Sequence, residues 1–327
     1  VRSSILMQVF PWFAYLMLSS STSCADQDTV TFGHRWITRE PKESQVTYAV
    51  YIKMSKATDE SCSGSALTQR WVLTAARCLY SGQDRVVETA ESLTVYATVS
   101  NSLTGKNVQV RKVARVVVPN PGSVEAYYSP ALIEVNTPFE LGDSITRVEI
   151  LEVARYGFIN AEDQTCKIES YGYSEWGKPT PGVVLKKVGN YIEECNCSDG
   201  LRRAFAGSRT NTWICGQSEF TYGLCKGDFG AGLVCDGAIM GVFVGMVGLN
   251  SDSCEVTDLQ SKDCGKPTVV NIFVDICYYL QWLHGYIRYV GINNTACDEP
   301  DSAHISVRHH VTDQVLYTLL SIIITFV

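Results

Sequence analysis

Between residues 46 and 290 the chain alternates short apolar, β-branched runs with polar turn clusters. Val46-Thr47-Tyr48-Ala49-Val50-Tyr51-Ile52 is rich in β-branched and aromatic residues, and Leu93-Thr94-Val95-Tyr96-Ala97-Thr98-Val99 alternates apolar and polar positions. Val113 to Val118, Ala131 to Val135, Val183-Val184-Leu185 and Gly241 to Val247 read as further strands. Gly, Pro, Asn and Ser clusters separate these runs. A helical pattern emerges only late, over Asp275 to Tyr289. Many short strands and one terminal helix predict an all-β fold. Their spacing alone leaves barrel and sandwich both open.

Composition supports a large core, with 46% hydrophobic and 19% charged residues. The formal net charge is -7 and no basic stripe is present, which argues against a nucleic-acid partner. Thirteen cysteines point to an oxidising compartment.

Both ends carry targeting patterns. Arg2, the apolar run Ile5 to Leu18 and the small residues Ser23-Cys24-Ala25 read as a signal peptide over residues 1–25, with an N-terminal membrane anchor as the alternative. Cleavage before Asp26 would leave twelve cysteines, an even number. At the other end, Val315 to Val327 is uncharged and apolar but shorter than the roughly 20 residues of a spanning helix. A polar spacer, His304 to Gln314, and the small-residue set Asp301-Ser302-Ala303 precede it. That order reads as a GPI-attachment signal over 304–327, with Asp301 or Ser302 as the attachment residue. A tail packed on the domain and a degenerate membrane anchor are the alternatives. The expected organisation is a signal peptide (1–25), a short lead (26–34), one domain (35–290), an extension (291–303) and the tail (304–327).

The motifs choose among the β folds. Cys62-Ser63-Gly64-Ser65-Ala66-Leu67, Trp71-Val72-Leu73-Thr74-Ala75-Ala76-Arg77-Cys78 and Ala131-Leu132-Ile133-Glu134-Val135 followed by Pro138-Phe139 come first. Cys166-Lys167-Ile168-Glu169-Ser170-Tyr171-Gly172, Trp213-Ile214-Cys215-Gly216, Gly227-Asp228-Phe229-Gly230-Ala231-Gly232-Leu233-Val234-Cys235 and Trp282 follow in order. Together they resemble the trypsin/chymotrypsin-like serine protease family (peptidase S1) from about Arg35 to His284. The resemblance implies two six-stranded antiparallel β-barrels with a cleft between them and a short C-terminal helix.

It also implies disulfides. Cys62–Cys78 and Cys166–Cys235 are the firmest pairs; Cys215 pairs with Cys195 or Cys197, and Cys225 with Cys264 or Cys254. Four further cysteines, Cys277 and Cys297 among them, are left for two extra bridges. Cys195-Asn196-Cys197 is read as disulfide cysteines rather than a metal site, and no metal or cofactor is expected. Asn196 and Asn293 open sequons for glycosylation.

Peptide hydrolysis in this family needs a serine nucleophile, a histidine base and an aspartate that orients the histidine. By the resemblance the nucleophile position holds Phe229, the base position Arg77 and the aspartate position Ser129. A benzyl group offers no nucleophilic lone pair, and a guanidinium with a pKa above about 12 accepts no proton at neutral pH. The histidines His34, His284, His304, His309 and His310 fall outside segments that line the family's cleft. The backbone N–H groups of Gly227 and Phe229 would form the oxyanion hole. Asp228 stands where the family pairs an aspartate with an amine freed by cleavage. The junction His34-Arg35-Trp36-Ile37 departs from Arg-Ile-Val-Gly-Gly, so cleavage after Arg35 would expose a bulky Trp36. The pocket floor falls on Gly223, which is not acidic. Val244-Gly245-Met246 stands where the family reads Ser-Trp-Gly, and Met246 should narrow or fill the pocket.

The expected function is that of a non-catalytic serine protease homologue, secreted or held at the cell surface. It would act by binding a protein, such as an active protease or its substrate, or as an adhesion module. An active secreted endopeptidase with an atypical site and a structural surface glycoprotein are the alternatives.

Overall fold

The computed structural model describes residues 47–54, 61–81, 86–98, 103, 107–121, 125–142, 145–147, 149–150, 165–172, 186–193, 213–217, 224–235, 237–250, 255–258 and 268–287. The first half contains β1 (Ala49–Met54), β2 (Ser61–Ala66), β3 (Trp71–Ala75), β4 (Tyr80–Ser81), β5 (Val86–Val87), β6 (Leu93–Ala97), β7 (Gln109–Val117) and β8 (Pro130–Val135). The second contains β9 (Glu149–Ile150), β10 (Thr165–Ser170), β11 (Lys186–Glu193), β12 (Trp213–Gln217), β13 (Gly232–Cys235), β14 (Ala238–Leu249), β15 (Val256–Asp258) and β16 (Val269–Asp275). The short helix α1 (Leu280–His284) follows.

Alternation drives the strands. In β1, Val50, Ile52 and Met54 point into the core while Lys53 is exposed. In β6, Leu93, Val95 and Ala97 are fully buried while Thr94 and Tyr96 are half-buried on the other face. A strand with one apolar face must bury it, and closing the sheet on itself also removes its unpaired edges. β1-β2-β3-β8-β7-β6 closes in this way into a six-stranded barrel. Among the described residues the second sheet has eight strands. Within it β13, β10, β11, β12, β16 and β14 pair in turn, and β13 pairs again with β14. This is the all-β, two-barrel architecture the resemblance implies, with β9 and β15 as added strands.

The terminal helix is shorter than the pattern predicts. The expected span, Asp275 to Tyr289, begins as the last residue of β16, runs through a 3-10 turn at Ile276–Tyr279 and, among the described residues, is α-helical over Leu280–His284. Asp275 Oδ1 accepts from the Cys277 N–H at 2.9 Å, capping that tight turn. The 3-10 turn uses up the residues that the periodicity assigns to the helix's first turn.

Ser63 on β2 holds the barrels together. Its N–H donates to Phe229 O at 2.8 Å, its Oγ donates to Gly227 O at 2.9 Å, and that Oγ accepts from Tyr171 N–H at 2.9 Å. Thr47 Oγ1 bonds Glu169, and the Tyr171 hydroxyl bonds Thr98 O. Each contact joins the first barrel, or the chain entering it, to the second.

Candidate functional site at the barrel junction

Three local structures converge between the barrels. The first is the 3-10 turn Ala76–Leu79 that ends β3, which carries Arg77. The Cys62–Cys78 disulfide ties this turn to β2, and the Ala76 N–H donates to Ser129 O at 2.9 Å. The second is the turn before β13, which carries Asp228 and Phe229. The Cys166–Cys235 disulfide ties β13 to β10. The third is a bulge in β14. There Phe243 pairs with Phe273 and Gly245 with Ile272, so Val244 is the extra residue and its carbonyl can leave the ladder.

Arg77 bridges the three. Its Nη1 donates to Val244 O at 2.7 Å. Its guanidinium carbon lies 3.6 Å from the Phe229 ring centroid and 5.3 Å from that of Tyr127. A guanidinium over an aromatic face is attracted by the ring quadrupole, more strongly where water is excluded. Phe229 also stacks on Phe243, with centroids 5.2 Å apart and planes 13° apart, and Phe243 packs on Phe273. Around the arginine, Tyr127 meets Tyr128 and Tyr80, and Tyr128 meets Trp213 at 6.1 Å.

Ser129 is buried, and its hydroxyl points back to Ala126 O at 2.7 Å, closing the 3-10 turn Glu125–Tyr128. Asp228 is fully buried. Its Oδ1 accepts from Gly172 N–H and its Oδ2 from Cys225 N–H, each at 2.7 Å. Met246, Phe243, Val269 and Phe273 share one buried cluster, and Phe229 packs against it.

The structure therefore brings Arg77, Phe229, Val244 and Gly245 together, with Asp228 next to Phe229 in the chain and Met246 in the buried cluster against which Phe229 packs. Ser129 shares the neighbourhood through the Ala76 backbone. Sequence reasoning missed Tyr127, Tyr128, Tyr80, Trp213 and the bulged Val244 carbonyl. The Tyr127-Tyr128 pair directly before Ser129 was the available signal. Cys215, Cys225 and Cys277 are also disulfide-bonded. Gly223, Cys195, Cys197, Cys254, Cys264, the sequons at Asn196 and Asn293, Asp301, Ser302 and both terminal segments lie outside the described residues.

Comparison with known proteins accords with this architecture. The trypsin family model matches residues 36–283. Kallikrein-8 of Mus musculus is 26% identical over 231 residues, covering 68% of this chain and 75% of the relative. Chymotrypsin-like elastase family member 1 of Macaca fascicularis is 25% identical over 227 residues, covering 68% of this chain and 77% of the relative. The solved structure of neuropsin, a serine protease expressed in the limbic system of mouse brain, superposes with a TM-score of 0.54 at 22% identity. It covers 76% of this chain and 97% of that one. With the motifs in order, the barrel closed and the family model spanning most of its length, the chain belongs to the trypsin family of serine proteases.

Proposed function

We propose that this member of the family is non-catalytic and acts by binding other proteins outside the cell. The observation that carries the reading is the Arg77 guanidinium lying 3.6 Å from the centre of the Phe229 ring. These are the positions where the resemblance calls for the base and the nucleophile. Acyl transfer needs a group that takes a proton and a group that attacks. A guanidinium only donates hydrogen bonds, and a benzyl ring forms no acyl bond. The inward-turned Ser129 hydroxyl supports the same reading, since it has neither the charge nor the direction to orient a base. Met246 lies in the buried cluster that holds Phe243, on which Phe229 stacks, and this supports a filled specificity pocket.

The extracellular setting rests on the signal pattern at 1–25 and on cysteine usage. Cys62–Cys78 and Cys166–Cys235 bridges suit an oxidising compartment. Among the described residues no helix is long and apolar enough to cross a membrane. Attachment through a GPI signal at Asp301 or Ser302 fits the tail's composition. Recognition would then belong to loops on a rigid scaffold, and the partner would be an active protease, its substrate or an adhesion ligand.

Two experiments test the reading. Purified protein incubated with denatured protein substrates and a peptide library should leave them uncut by mass spectrometry; cleavage that survives further purification would refute it. Phosphatidylinositol-specific phospholipase should release the protein from cells that express it. Retention on the cell, with the apolar tail still detected in the protein, would reject the anchor.

A further inference from the structure

We infer that Arg77, Phe229 and Gly245 are a matched set that converts the cleft floor into a brace between the two barrels. The inference rests on geometry alone and stands whether or not the protein is catalytic.

Arg77 belongs to the first barrel, on the turn after β3, while Phe229 and Val244 belong to the second. The arginine is therefore a cross-barrel strut with two different attachments. One is a hydrogen bond at 2.7 Å to the carbonyl that the β14 bulge releases. The other is the stack on Phe229 at 3.6 Å. Phe229 passes that contact inward to Phe243 and Phe273, which lie in the core of the second barrel. On the near side Tyr127 closes over the guanidinium.

Gly245 supplies the space. A Cβ built there would sit 3.6 Å from Arg77 Nη1 and 4.0 Å from Tyr128 Cε1. These are ordinary contact distances, so a methyl group fits and anything much larger meets the arginine. The family segment reads tryptophan at this position. An indole and the Arg77 guanidinium would compete for one volume, so the small residue at 245 and the large cation at 77 belong together.

The test is a double-mutant cycle on the secreted full chain, read as the thermal unfolding midpoint. Arg77→Ala and Phe229→Ala should each lower it by about 2–8 °C, from a half-buried cation–π contact in a domain of this size. The double variant should fall by clearly less than the sum. Gly245→Ala should leave the midpoint within about 1 °C, since its Cβ makes only ordinary contacts. Gly245→Trp should lower it in the parent and be much better tolerated with Arg77→Ala. If Gly245→Trp fails to fold in the parent, its recovery with Arg77→Ala reads out the same coupling. Additive single effects, or a Gly245→Trp penalty unchanged by Arg77→Ala, would overturn the brace. Either result leaves the question of catalysis untouched, because no activity is measured.

Discussion

The Arg77 guanidinium carbon lies 3.6 Å from the centre of the Phe229 ring, across 151 intervening residues' worth of chain. A guanidinium accepts no proton and a benzyl ring does not attack a carbonyl, and each side chain packs on the other: the ring faces the cation, and the cation fills the space in front of the ring. The two positions are packed against each other across the barrel junction.

Repacking predicts that restoring the triad will not restore turnover. Arg77→His, Ser129→Asp and Phe229→Ser together remove the cross-barrel contact and replace a buried hydroxyl, bonded to Ala126 O, with a carboxylate. In the direction of the Ser129 hydroxyl a carboxylate would meet the Ala126 carbonyl, which has no proton to give, and burying a charge that is not hydrogen-bonded is costly. Met246 stays in the buried cluster that holds Phe243. The triple variant should show no hydrolysis of fluorogenic peptide substrates above background, and should unfold at a lower temperature than the parent. Robust turnover would show that pocket and junction matter less than argued.

Gly230 should be irreplaceable where Gly237 is not. Both have positive φ, 88° and 85°. A Cβ on Gly230 would lie 2.1 Å from Thr74 Oγ1 and 2.3 Å from Ser63 O, whereas one on Gly237 meets nothing within 4 Å. Gly237→Ala should cost about 1–2 kcal/mol, the left-handed penalty alone. Gly230→Ala adds a backbone clash at the barrel junction and should cost at least about 3 kcal/mol. Chemical denaturation of the two variants side by side gives the comparison; equal losses would contradict it.

Much of this fold was legible, because the strands advertise themselves by alternation and the cysteine-bearing motifs occur in family order. Boundaries moved where packing overrode pattern. The expected Val113–Val118 strand extends back to Gln109, because Tyr96 and Val95 on β6 pair with Val110 and Arg111. The expected Val183–Leu185 strand lies outside the described residues, and the neighbouring strand is Lys186–Glu193. The helix lost its first turn to a 3-10 segment. The site was half legible. Motif positions identified Arg77, Ser129 and Phe229 one by one, but nothing local said that Arg77 would lie on Phe229. Arg77's other attachment, the Val244 carbonyl, sits at a bulge in the pairing of β14 with β16, which no local pattern announces.

Alkaline pH should destabilise the fold through its buried tyrosines. Burial first, and the Glu169 charge second, raise the Tyr48 and Tyr171 hydroxyls above the usual tyrosine range. In the unfolded chain they titrate near about 10. Above that pH the unfolded state binds fewer protons than the folded one, so stability falls as pH rises. Their contribution is intact at neutral pH and is lost progressively from about pH 10 upward. Tyr171→Phe also loses the hydrogen bond to Thr98 O, so it should be less stable at pH 7 by about 1 kcal/mol but lose less on going to pH 11. Parallel stability–pH curves for parent and variant would contradict this.

The two bridges should differ in worth. Cys62–Cys78 closes a separation of 16 residues and Cys166–Cys235 one of 69. In the chain-entropy account these correspond to about 3 and about 4 kcal/mol. Paired Cys→Ala variants, compared by denaturant midpoint, should therefore rank the Cys166–Cys235 loss as the larger. The reverse order would mean that native contacts around the Arg77 turn outweigh loop entropy.

The central claim, that the nucleophile and base positions hold a brace in place of a reactive pair, is tested most directly by a fluorophosphonate probe. The purified full chain, incubated with excess probe and weighed intact, should show no added mass under conditions that fully label an active serine protease. Stoichiometric addition of one phosphonyl group would contradict the account.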